Sequence, residues 1–101
     1  MNILKLSVKS KHGESGLIKG LILNAITEEK KRLEYALKVS LKAIKEYETK
    51  YGLSTPVFLE KFKKGEIQEN DETFSWWAET RLIKELEEKL KTLEGIEICQ
   101  A

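Results

Sequence analysis

Leu93, Leu90, Leu86, Ile83, Glu79 and Trp76 step back along the chain by three, four, three, four and three residues. That spacing keeps returning to one side of a helix with 3.6 residues per turn, so the six form a single stripe. A second stripe runs through Leu33, Leu37, Ser40 or Leu41, Ile44, Tyr47 and Tyr51. Each stripe needs another apolar surface to cover it, and the two have nearly equal length. Read as helices of about 25 and 24 residues, or ~37 Å each, they fold naturally into an antiparallel pair.

The boundaries follow from capping chemistry. Thr27 reads as the N-cap of the first long helix, with Glu28 and Glu29 favourable in its first turn. Glu34–Lys38 and Glu46–Lys50 are i,i+4 pairs on its wet side, and Gly52 ends it after Lys50. "STPVFLEKFKKG" reads as a short helix capped by Thr55 or Ser54, with Pro56 in the first turn and Gly65 at the end. Asn70 can cap the last helix, with Asp71 and Glu72 at its positive end and Gly95 after Glu94. All three helices end in a lysine-bearing turn followed by glycine.

The termini read differently. "NILKLSVKS" alternates Leu4, Leu6 and Val8 with Lys5, Ser7 and Lys9, the two-residue period of a half-buried strand. "IEIC" (96–99) alternates in the same way and could pair with that first strand. Between them, "LIKGLILNAI" (17–26) favours a helix by its four-apart apolar pairs, but Gly20 leaves a second strand open. Drawn straight into the following helix, its apolar side moves by nearly half a turn, which predicts a break near Asn24–Thr27. The fold class is therefore mainly α, with α+β character at the termini: one domain over 1–101, with an N-terminal segment 1–26, a helical hairpin 27–95 and a tail 96–101.

At 101 residues the chain can build one modest core, so burial against a partner or a second copy is open to it. Net charge is only +1, which argues against dedicated nucleic-acid binding. Residues 1–50 carry 11 Lys/Arg against 6 Glu, and residues 51–101 carry 7 against 11 acidic side chains. Oppositely charged halves either fold onto one another or offer a basic and an acidic patch to different partners. The single Cys99 gives no disulfide framework, which fits a reducing, cytoplasmic setting. No apolar run approaches the ~20 residues of a membrane span. Abundant Lys, Glu and Ile fit thermophile usage.

No catalytic constellation is visible. His12 is the only histidine, and it sits in a turn-like stretch without Asp or Cys around it. Cys99 lacks a paired His. There is no phosphate-cradling loop, metal-ligand spacing or nucleophile elbow, so no enzyme activity, cofactor or metal is expected. The informative stretch is "NDETFSWWAET" (70–80), which holds both tryptophans. Neighbours on a helix point about 100° apart, so one face cannot bury both. Trp76 belongs to the stripe and should lie near Tyr47. Trp77 shares its face with Phe74 and Arg81, whose guanidinium can lie on the indole. Either Phe58 and Phe62 of the short helix dock on Phe74 and Trp77, or these side chains are an aromatic anchor for another protein. Tyr35 and Val39 form a second off-stripe pair, which suggests that their side meets the N-terminal segment or a second chain.

Residues 31–94 also resemble a known family. A long Lys/Glu helix ending in Tyr51–Gly52 precedes a short helix carrying Phe58, Lys61, Phe62 and Gly65, an acidic stretch, and a helix start with Phe74, Trp76 and Trp77. This is similar to short archaeal and cyanobacterial proteins regarded as antitoxin-like members of toxin–antitoxin pairs. The resemblance implies a non-catalytic protein with a toxin-like partner encoded nearby. The first 26 residues depart from that pattern. The alternatives are a self-associating homodimer built on the N-terminal segment, and a nucleic-acid binder using the basic half.

Overall fold

A computed structural model describes residues 4–8 and 15–100. The elements are β1 (Leu4–Val8), α1 (Ser15–Tyr51), α2 (Thr55–Lys63), α3 (Asp71–Glu94) and β2 (Ile96–Gln100). The mainly helical class, the two long helices with a short one between them, and the terminal strands are as the sequence predicts. His12 lies outside the described residues.

The start of α1 corrects the sequence reading. It is one unbroken helix of 37 residues, ~55 Å long, so residues 17–26 are helical and the break at Asn24–Thr27 does not occur. Thr27 caps nothing, because its hydroxyl donates to the Leu23 carbonyl within the helix at 2.9 Å. The physical reason lies in which apolar residues turn inward. Ile18, Ile22 and Ile26 are half-buried and continue the spacing back from Leu33, while Leu17, Leu21 and Leu23 are exposed. Counting all of them as one apolar side created the false shift. Glu28 and Glu29 accordingly sit mid-helix and pair with Lys31 and Arg32 at i,i+3.

Contacts gather into two compact units, Met1–Tyr35 with Glu87–Ala101, and Ala36–Leu86. In the first, β1 and β2 pair in parallel, with Leu4 opposite Ile96 and Val8 opposite Gln100. Leu33 is buried there, and Lys89 of α3 lies close enough to Glu29 of α1 to help hold its carboxyl below the usual range, after the stronger effect of the Arg32 hydrogen bond. Gly95 leads straight into β2 without the positive φ that Gly52 (65°) and Gly65 (74°) adopt after α1 and α2.

In the second unit, Ser40 takes the inward stripe position and Leu41 is exposed. Tyr47 stacks on Trp76 with centroids 5.7 Å apart, as the antiparallel pairing requires. Asn70 caps α3 reciprocally: Thr73 N–H donates to Asn70 Oδ1 at 2.8 Å, and Asn70 N–H donates to the Thr73 hydroxyl at 2.9 Å. Lys50 bypasses Glu46 and reaches Glu72 on α3 at 2.6 Å.

The Lys50–Glu72 contact gives a pH signature. The Lys50 hydrogen bond, and next that of Tyr51, hold the Glu72 carboxyl below its ordinary 4.5. A depressed carboxyl contributes stability above its unfolded pKa and loses it as pH falls through the folded value. Lys50 and Tyr51 are raised by the same carboxylate, so their share fades only as pH rises past their ordinary values of 10.5 and 10.0. The melting-temperature gap between the native protein and Glu72→Gln should therefore close as pH is lowered from about 6 to about 3. A gap constant over that range would place the contact's contribution elsewhere.

Candidate functional site

The aromatic site is built on α2, and α2 is held by one fully buried ring. Phe58 stacks face to face on Trp76, with centroids 3.7 Å apart and planes 4° apart, and both are 0% exposed. Tyr51 leans on the same indole at 5.6 Å. Phe58 thus docks on the stripe tryptophan rather than on Phe74 and Trp77, as half of the docking expectation had it. It belongs to the core and supports the site from behind.

A polar chain fixes the start of α2. Ser54 occupies the N-cap position but makes no side-chain capping bond. Glu48 of α1 supplies the cap instead, accepting from Thr55 N–H at 2.8 Å and from the Thr55 hydroxyl at 2.9 Å. Trp76 Nε1–H donates in turn to Thr55 Oγ1 at 3.2 Å. The indole N–H is a donor only, so this acceptor satisfies it inside the core. Sequence spacing did not single out Glu48. The sequence carries no signal for it, because Thr55 or Ser54 reads as a cap in its own right.

Phe62, one turn beyond Phe58 and 5.4 Å from it, carries the outward layer. Its ring meets Phe74 edge-on at 5.7 Å and stacks against Trp77 at 6.4 Å. The Arg81 guanidinium lies 5.1 Å from the centre of the Trp77 ring, as the four-residue spacing predicts. Phe62 and Trp77 are half-buried, while Phe74 stays 49% exposed. Together with Leu59, Lys63 and Glu69 these rings line a groove of about 420 Å³. Lys63 and Glu69 have no ion-pair partner among the described residues. Tyr35 and Val39 are exposed on α1 and make none of these ring contacts.

Among the described residues no group of three or more His, Cys, Asp or Glu side chains could hold a metal ion, and no helix is long and apolar enough to cross a membrane. The arrangement offers an apolar shelf with charged ends, suited to holding an apolar side chain flanked by charge. No family model, curated protein or solved structure matches this chain.

Proposed function

We propose that the chain is a non-catalytic, antitoxin-like interaction protein that captures a partner protein through Phe62, Phe74, Trp77 and Arg81. The observation that carries this reading is Phe74. It is a large ring left half in solvent on the rim of an apolar groove, fixed edge-on to Phe62 and backed by a rigid core. Aromatic and arginine anchors held on stiff elements lose little entropy on binding and dominate binding hot spots. Lys63 and Glu69 flank the shelf and would orient a partner by charge. The resemblance over residues 31–94 supports the same class of function.

The test is co-expression of the tagged chain with the products of neighbouring genes. Phe74→Glu should reduce capture by roughly thirtyfold or more, the scale of a hot-spot loss. Its melting temperature should barely move, because the ring is half in solvent. Trp77→Ala should also weaken capture more than it lowers the melting temperature. Unchanged capture by both variants, with a large stability loss for Trp77→Ala, would make these rings part of the core and remove the assignment.

A further inference from the structure

The first unit presents a sheet that ends too soon. β1 and β2 form a two-stranded parallel ribbon, and among the described residues each strand therefore has one edge without a ladder. Two strands seldom stand alone, and parallel strands are found mostly in larger sheets covered on both faces. Here Leu6 is 41% exposed, and Lys5 and Ser7 are exposed as well. The same unit leaves Leu17 and Leu21 of α1 63% and 61% exposed, four residues apart on one helix face. Among the described residues, the other helical stretch in this unit is the end of α3, residues 87–94.

We propose that a second copy of the chain adds its β1 to β1, antiparallel about a twofold axis at Leu6, giving a four-stranded sheet in the order β2-β1-β1′-β2′. The register selects this pairing. Centred on Leu6, it sets Leu6 opposite Leu6′, Leu4 opposite Val8′ and Lys5 opposite Ser7′, so apolar residues meet apolar ones and no like charges face each other. Pairing β2 with itself about Ile98 would set Ile96 opposite Gln100′. Pairing β1 with β2′ is heterologous and generates an open chain of copies, whereas β1 with β1′ closes as a dimer. The strand edge supplies register, and Leu17 and Leu21 supply apolar area that a bare edge lacks.

Directly opposite residues of an antiparallel pair have Cα atoms about 4.5–5.5 Å apart, inside the span a disulfide bridges. In a Cys99→Ser background, Leu6→Cys should therefore cross-link into a covalent dimer under mild oxidant, and Ile98→Cys should stay single-chain. Leu6→Lys sets two ammonium groups opposite each other and should lower the association constant at least tenfold by sedimentation equilibrium, with helical circular dichroism unchanged. A native chain that sediments as a monomer at about 100 µM overturns the proposal. So does a dimer that cross-links through Ile98→Cys instead of Leu6→Cys, or one that Leu6→Lys leaves intact. Phe74→Glu should not change the dimer, which keeps this result separate from partner capture.

Discussion

Phe58→Ala should lower the unfolding free energy by about 3–5 kcal/mol, the largest loss expected from any single truncation of α2. Removing a fully buried phenylalanine forfeits its transfer free energy and leaves a cavity that neighbours fill only in part. The cavity here would open on Trp76, the ring Phe58 stacks against, which Tyr47 and Tyr51 hold in place. Those rings are fixed by the α1–α3 pairing and by the Trp76–Thr55–Glu48 hydrogen bonds, so collapse around the gap is restricted. Small domains have only about 5–15 kcal/mol in total, so such a loss brings the variant close to its unfolding threshold. Urea denaturation followed by tryptophan emission measures it directly. Trp76 should report a wetter environment even in the folded variant, because its stacking partner is gone. A loss under about 1 kcal/mol would show that α2 is dispensable to this core, and the support behind Phe62 and Phe74 would fall with it.

The three-and-four spacing made the α1–α3 pairing legible, because such spacing has one physical meaning on a helix. It also separated Trp76 from Trp77, and the Tyr47–Trp76 contact and the Arg81–Trp77 contact followed from counting alone. Local chemistry gave the Asn70 cap and the left-handed glycines after α1 and α2. Two kinds of information were not local. The first concerned residues 17–26, where six leucines and isoleucines crowd ten positions and periodicity cannot say which ones turn inward. Half of them remain outside, and that choice depends on what the rest of the first unit covers. The second concerned Phe58 and Phe62. Their four-residue spacing put them on one face of α2 but could not say that the deeper ring takes Trp76 and the outer one takes Phe74 and Trp77. The Glu48 cap belongs to the same class, since its partner Thr55 is seven residues away across the turn and the pairing follows from packing.

Glu48→Ala should cost about 2–3 kcal/mol and should act first on α2. The carboxylate accepts two hydrogen bonds from Thr55, and the hydroxyl it orients accepts from Trp76. Without it the Thr55 N–H has no side-chain acceptor, Ser54 offers no alternative cap, and the hydroxyl loses the acceptor that fixes its direction. Leaving such part-buried donors unpaired costs more than their hydrogen bonds contribute net, because water regains access only if α2 moves. Amide hydrogen exchange separates this from a global effect. Protection in Thr55–Lys63 should fall further than protection in the central turns of α1 and α3. Thr55→Val, which keeps the shape and removes the hydroxyl, should reproduce part of the loss and should not add to Glu48→Ala, because both cut the same chain of bonds. Fully additive losses would mean that Glu48 and Thr55 act independently, and the cap would then not be what positions Phe62 beneath Phe74 and Trp77.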